Sequence, residues 1–416
     1  LDGPGNWIRN HEVFAKVLRR RLHRETPPAD IRELHIRAAA WYEAHGYIDQ
    51  SATHAVKGEN WPQAAKLLTT IGKNYYDQER IGSLRALLRD LPEAPFVHQP
   101  LLAYWLAWAE LRSGHPLAAE RPLRIATQSD QRAYRARRDR IHLKLQVLKY
   151  VYTWDAAAGT EAVQQVLERL GADEDAERTR IRVMLALLQE TEGKLDEAAL
   201  TLESVRTLNG RHGNRGLHVL ELHVTAGLLL AMGKLKEPAG LFRRVIAIGD
   251  EWNDLPVQNA HSQLGEILLD WNRPEEARAH AHTAIDLARR IDTPIQLPQA
   301  HALLCRVAWL EENWDLALDA VERSIASSAA AGALGSLRVF EEMQCRLWLA
   351  TGQLSLAQRW LQHLPHNALD SLRYEHIGTT LTAMRVRIHE GRSDEILHPL
   401  ESLRAHAIQL GWNREV

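Results

Sequence analysis

The sequence predicts an all-α protein in which helical hairpins with a period of about 40 residues lie side by side in a right-handed superhelix. Three observations carry this expectation. First, a short phrase recurs. Glu59-Asn60-Trp61-Pro62-Gln63-Ala64 returns as Glu312-Asn313-Trp314-Asp315-Leu316-Ala317, as Gly193-Lys194-Leu195-Asp196-Glu197-Ala198, as Gly352-Gln353-Leu354-Ser355-Leu356-Ala357 and as Asn272-Arg273-Pro274-Glu275-Glu276-Ala277. Looser copies end at Ala119, Ala157, Pro238 and Ile396. Second, the flanking apolar residues keep helical spacing, with Ile181, Met184, Leu185 and Leu188 before one copy and Leu202, Val205 and Leu208 after it. Third, no alternating strand pattern of useful length occurs.

Each phrase reads as a helix–turn–helix corner. A small or polar residue, such as Gly193, Gly233, Gly352 or Gly391, ends the first helix. A large apolar residue two positions on (Leu195, Leu235, Trp314, Leu354) plugs the corner, and Asp196, Glu197 or Pro274 suits the first turn of the next helix. The alanine five positions after the glycine lets the two helices approach closely. Two helices and two turns fill about 40 residues. The unit resembles a tetratricopeptide repeat with lengthened helices. HEAT-type repeats overlap in length, but their corners lack the Gly-x-Leu-x-x-Ala phrase.

Bulk properties narrow the class. A chain of 416 residues would suit two or three compact domains, but a solenoid removes that limit because each unit packs only on its neighbours. A net charge of -2 gives no global bias toward nucleic acid. No apolar run approaches a membrane span and no signal peptide opens the chain, so a cytoplasmic location is expected. The chain begins with Leu1 rather than Met, which reads as a piece of a longer protein. The two cysteines, Cys305 and Cys345, hold the same slot of consecutive repeats, where Gly265 and Ala226 stand earlier; a packing role is expected rather than a redox one.

Taken in order, residues 1–24 open with the turn Asp2-Gly3-Pro4-Gly5-Asn6 and a helix through Phe14, Val17, Leu18 and Leu22, whose end is basic (Lys16, Arg19, Arg20, Arg21, Arg24). That basic end reads as a solvated face, or as a docking surface for a neighbouring domain. Thr26-Pro27-Pro28 breaks the chain. Residues 25–95 read as a helical connector: a helix from about Ile31 to Ala44, short pieces at Asp49–Val56 and Pro62–Leu68, then one long amphipathic segment to Leu91 before Pro92-Glu93-Ala94-Pro95. Residues 96–416 form the regular array, with hairpins near 98–130, 135–171, 176–210, 216–250, 257–291, 297–331, 336–370 and 373–410.

The first 70 residues carry a more specific pattern. Trp7-Ile8-Arg9-Asn10-His11-Glu12-Val13-Phe14 with Leu18 and Arg21-Leu22, then Leu34-His35-Ile36-Arg37-Ala38-Ala39-Ala40-Trp41-Tyr42, then Gly46 and Ser51-Ala52-Thr53-His54-Ala55, resemble the segment after the ATPase core of MalT-like regulators, the large ATP-dependent members of the LuxR group. The resemblance implies that residues 1–24 are the remnant of a winged-helix module, and that the array is the superhelical sensor that receives a small-molecule inducer and controls self-association. It implies that ATP belongs to an ATPase domain elsewhere, with no cofactor in this chain. No Gly-x-x-x-x-Gly-Lys-Ser/Thr phosphate loop occurs, and nothing after Gly411 suits a helix-turn-helix, so no direct nucleic-acid contact is expected here.

In stacked hairpins the first helices line the concave side. Six positions before each corner runs one inward column: Trp108, Gln146, Leu187, Gly227, Glu266, Arg306, Arg346, Arg385. Four positions earlier runs a second: Tyr104, His142, Val183, His223, Ser262, Ala302, Glu342, Leu381. Glu266, Arg306, Glu342 and Arg346 are expected either to form a ladder of mutual ion pairs or to hold an anionic or hydroxylated ligand. Arg306 and Arg346 would then supply paired hydrogen bonds and Trp309 a stacking face. Most tryptophans, such as Trp61, Trp154 and Trp314, read as corner plugs. His280 and His282 point apart on a helix and cannot share a metal. His363 and His366 lack nearby ligand partners. The cluster Arg132, Arg135, Arg137, Arg138 and Arg140 lacks the aromatic interleaving of a nucleic-acid platform. No catalytic constellation stands out, so a sensor is the first reading, a protein-interaction scaffold the second, and an enzyme is not expected.

Overall fold

The computed structural model describes residues 12–89, 91–128, 142–148, 150–151, 155–171, 174–249, 255–364 and 376–409. The basic cluster 132–140, Trp154 and His366 lie outside them. Six helices precede the array: α1 (Glu12–Glu25), α2 (Pro28–Ala44), α3 (Ile48–Lys57), α4 (Trp61–Asp77), α5 (Ile81–Leu88) and α6 (Glu93–His98). The array follows as α7 (Pro100–Ser113) with α8 (Pro116–Gln128), helical residues 142–148 before α9 (Ala156–Glu168), α10 (Asp175–Thr191) with α11 (Leu195–His212), and α12 (Arg215–Ala231) with α13 (Lys236–Gly249). Then come α14 (Leu255–Asp270) with α15 (Pro274–Arg290), α16 (Leu297–Leu310) with α17 (Trp314–Ala330), α18 (Leu334–Ala350) with α19 (Leu354–Gln362), and α20 (Ile377–His389) with α21 (Leu397–Gln409). No strand occurs among the described residues, and consecutive helices pack as hairpins.

The corners are built alike. Gly193 has φ +76°, Gly233 +80°, Gly352 +74° and Gly391 +77°, while Glu59, Asn272 and Glu312 occupy the same left-handed slot at +54°, +57° and +59°. There the amide of the slot residue reaches back three positions and the next amide five. Gly193 N donates to Glu190 O at 2.9 Å and Lys194 N to Gln189 O at 2.9 Å; Glu312 N donates to Trp309 O at 3.0 Å and Asn313 N to Ala308 O at 2.9 Å. This pair of bonds satisfies carbonyls that the helix end would leave bare. The alanines five positions on (Ala64, Ala198, Ala277, Ala317, Ala357) are wholly buried where the two helices touch. Of the corner plugs, Leu195 is buried, while Trp61, Trp314 and Leu354 are half-buried against the core rather than enclosed by it.

The connector departs from the expectation. The segment read as one amphipathic helix to Leu91 is α4 and α5, joined by a further corner at Gln78-Glu79-Arg80. Glu79 has φ +58°, and Arg80 N donates to Tyr75 O at 2.9 Å. Position 84, where other corners carry alanine, is Leu84, so the phrase is not recognisable in sequence. On α1, Val17, Leu18 and Leu22 are exposed rather than packed.

This corner is inserted into the array. The Arg180 side chain is fully buried; it forms an ion pair with Glu79, another with Glu177 at 2.8 Å, and donates from Nη2 to Tyr76 O at 2.9 Å. Arg112 reaches Glu79 at 3.2 Å, and Lys144 reaches Glu177 at 2.7 Å. Asn214 Nδ2 donates to Asp77 O at 2.7 Å. A Cβ on Gly216 would lie 1.8 Å from Gln78 O, so α12 and the corner are in backbone contact. Tyr76 Oη lies 2.6 Å from Tyr104 Oη, and Tyr104 and Trp108 are buried. The N-terminal members of the inward columns, Tyr104 and Trp108, are thus enclosed by this insertion.

Segments far apart in the chain also touch. Arg85 donates to Asp292 Oδ2 at 2.7 Å, 207 positions away in the chain, and to Glu110 Oε2 at 2.6 Å. Gly114 abuts Ile295, and Gly332 abuts Pro116. Ile377, Leu403 and Ala407 share one buried apolar cluster with Val183, Ala186, Leu195 and Leu217, so the last hairpin rests on one much earlier.

Burial ranks these contacts. Arg180→Met leaves Glu79 and Glu177 buried with less compensation and is expected to cost about 3–5 kcal/mol; Asp292→Ala removes a half-exposed partner and is expected to cost well under that. Gly216→Ala should destabilise as Arg180→Met does, because only backbone can give way. Urea titrations of the three variants by circular dichroism check the order.

Candidate functional site

The first helices of the C-terminal half leave a cavity of about 740 Å³ on the concave side. Its walls come from α10, α14, α16, α18 and the start of α20. A second cavity of about 320 Å³, lined by Leu269, Arg306, Trp309, Leu310, Met343 and Arg346, shares Arg306, Met343 and Arg346 with it. Of the five residues singled out in sequence, Glu266, Arg306, Glu342 and Arg346 line the larger cavity, and Trp309 lines the smaller with the two arginines. The fixed register of the corners produces this: one slot per unit, repeated, becomes one column on one wall.

The expected ladder forms only in part. Arg306 is ion-paired with Glu266 and reaches Asp270 Oδ1 at 3.2 Å. Glu342 turns away: Thr379 donates to Glu342 Oε1, and the other carboxylate oxygen lies over Gly378, where a Cβ would come within 2.2 Å. Only glycine leaves room for the carboxylate there. Burial pushes the Glu342 carboxyl up to about 7, against the opposing pull of Thr379 and Arg346. Arg346 makes no hydrogen bond among the described residues, and its buried Nε–H is without a partner. Burial and the nearby Arg385 lower its pKa.

Sequence reasoning missed Glu190 and Thr191, which face the cavity from α10. Glu190 is half-buried, and burial alone pushes its carboxyl up to about 7. A signal was available. The slot three positions before the corner holds Leu111, Leu230, Leu269, Trp309, Leu349 and Ile388 in other units of the array, whereas it is Lys149 in the unit before and glutamate here.

Other candidates resolve simply. Cys305 and Cys345 are free, fully buried and pushed up to about 12 by burial, which suits packing and not thiolate chemistry. His280 pairs with His261, Nδ1 to Nδ1 at 2.7 Å, and His35 pairs with His54 in the same way at 2.8 Å. His223, expected on the inward surface, is enclosed; burial, then Arg112, lowers it to about 4. No helix among the described residues is long and apolar enough to cross a membrane.

The raised carboxyl makes a signed prediction. The folded chain holds the Glu342 proton more tightly than an unfolded one, whose value is near 4.5, so stability is lost as pH rises from there through about 7. Glu342→Gln keeps the acceptor for Thr379 and is expected to raise the melting temperature by a few degrees at pH 8 while leaving it nearly unchanged at pH 4. Melts at both pH values by circular dichroism check this.

The chain is similar to several known proteins. The MalT-like TPR region matches residues 143–416, well over half of the chain. The HTH-type transcriptional regulator MalT of Klebsiella pneumoniae is 22% identical over 376 residues, covering 88% of this chain and 41% of the regulator. The serine/threonine-protein kinase PknK of Mycobacterium tuberculosis is 33% identical over 118 residues, covering 28% of this chain and 10% of the kinase. The chain thus spans less than half the length of these curated relatives. Among solved structures, a Rap protein complexed with Competence and Sporulation Factor shares the fold, with a TM-score of 0.54 at 13% identity over 94% of this chain and 100% of that one. On the match across its array, this chain belongs to the family of MalT-like tetratricopeptide regions, regulatory arrays of stacked helical hairpins.

Proposed function

We propose that this chain is the ligand-sensing and assembly-controlling part of a bacterial ATP-dependent LuxR-family transcriptional activator, acting in the cytoplasm, and that it binds a small-molecule inducer in its concave trough. One observation supports this most: four of the five residues singled out in sequence line one cavity in the trough. The trough is filled at its N-terminal end by the 77–80 corner, and its C-terminal half holds a cavity of about 740 Å³, a volume that suits a small molecule. Apolar Leu187, Phe340 and Met343 share the lining with Glu190, Glu266, Arg306, Glu342 and Arg346, a composition that suits a polar or charged ligand. Arg306 and Arg346 are proposed as the ligand-holding cations, with Glu266 orienting Arg306, Glu342 offering a carboxyl and Trp309 a flat face beside them.

The proposal assigns no catalysis and no cofactor to this part; ATP would act on another domain of a longer protein. Self-association of that protein, released by the inducer, follows from the family reading. A second reading, a scaffold for a partner protein, is favoured by Val17, Leu18 and Leu22 on α1, three apolar side chains that no described residue buries.

The doubly substituted Arg306→Ala, Arg346→Ala chain is expected to lose inducer binding, a drop of at least 100-fold, with helicity intact. A metabolite library screened by thermal shift identifies the ligand through mass action, and calorimetry compares the two chains. Unchanged affinity in the double variant would sink the site. No shift with any metabolite, together with capture of one partner protein through α1, would favour the scaffold.

A further inference from the structure

A guanidinium and a carboxyl whose side chains make no hydrogen bond among the described residues face the main cavity from different walls. On α18, the Arg346 guanidinium makes no hydrogen bond among the described residues, although its Nε–H is buried. Its neighbour one unit back, Arg306, is already satisfied by Glu266 and Asp270. Its neighbour on the same helix, Glu342, is held by Thr379. On α10, the Glu190 carboxyl lines the same cavity with no hydrogen-bond or ion partner among the described residues. Leu187, Phe340, Met343 and Ile377 supply apolar surface to the cavity.

An N–H taken from water without a new hydrogen bond, as at Arg346 Nε, costs about 1–3 kcal/mol, and the half-buried Glu190 carboxyl has no partner among the described residues to favour its ionised form. The occupant that satisfies such a cavity brings the missing partners with it. A neutral polyol would hydrogen-bond Arg346 but leave its charge unmatched. A simple anion would serve Arg346 and meet a second carboxyl at Glu190. A simple cation would do the reverse.

Resting on the sensor reading above, we propose that the ligand is a zwitterion: its ammonium pairs with Glu190, its carboxylate or phosphate is gripped by Arg346, and an apolar body lies between them. The binding of an ammonium favours the ionised form of Glu190, which otherwise holds its proton near neutral pH because of burial.

The test uses the whole chain and a panel of amino acids and dipeptides with apolar side chains. Each is offered in four forms: free, N-acetylated, C-amidated, and both. Neutral oligosaccharides form a separate arm. Thermal shift finds the binder and calorimetry measures it, against wild type, Glu190→Gln and Arg346→Met, with circular dichroism to confirm folding. The expected result is that only free zwitterions bind tightly, with N-acetylation and C-amidation each weakening binding at least tenfold. Glu190→Gln should erase the penalty of acetylation, and Arg346→Met that of amidation. Binding that is indifferent to capping overturns the zwitterion while leaving the sensor reading intact, as does an oligosaccharide whose binding is lost on Arg306→Ala. If no small molecule of any class shifts the melt, both proposals fall.

Discussion

Arg180 is the residue on which the arrangement of this molecule depends. Hairpins of one period stacked on their neighbours define only a curved trough; nothing in that rule decides what fills it. The Arg180 side chain, wholly buried on α10, gathers Glu79, Glu177 and the Tyr76 carbonyl of a different segment about itself. A cation so far from water is tolerated only when every donor finds an acceptor. The carboxylates answer in kind: burial alone would raise Glu177, yet Arg180 and then Lys144 bring it down to about 2. The 77–80 corner is therefore held in the array by charge and by backbone contact with Gly216, not by apolar surface alone.

The insertion sets the position of the cavity. Tyr76 closes on Tyr104 and Trp108, which makes the N-terminal stretch of the trough solid core. Farther along, the side chains facing inward are charged and the wall opposite is α10, which also carries Arg180. One helix thus anchors the plug through Arg180 and presents Glu190 to the empty space about three turns on. Contacts between distant segments, from Arg85 to Asp292 and from Ile377 to the apolar cluster of Val183 and Leu217, tie the late hairpins to the early ones.

The array was legible in sequence because its units repeat the same local solution. A left-handed slot, an apolar plug and a buried alanine recur together, and each has a local physical cause. Glutamate or asparagine in the slot did not hide the corners at 59, 272 and 312, since the following residues kept the phrase. The corner at 79 was hidden because Leu84 stands where alanine identifies the others. The inward columns were legible too, since register fixes them, and the residues chosen from them do line the two cavities. What register does not encode is contact between segments far apart in the chain. The filling of the trough at Trp108, the turning of Glu342 toward Thr379 and the approach of α10 to α18 all come from such contacts. Glu190 was legible in principle as a charged residue in a slot that most units of the array fill with an apolar one, a comparison between units rather than within one.

The most direct test of the central claim compares two corners of the same local design. Gly46-Tyr47 and Glu79-Arg80 make equivalent backbone hydrogen bonds, Tyr47 N to Tyr42 O and Arg80 N to Tyr75 O, each at 2.9 Å. The first is exposed and the second is enclosed by the array. Native-state hydrogen exchange reads the difference, because protection reports the opening free energy of each region. The account predicts that the amides of Glu79 and Arg80 exchange at least a thousandfold more slowly than those of Gly46 and Tyr47. Equal rates at the two corners would mean that the corner at 79 lies free of the trough, and would contradict the account.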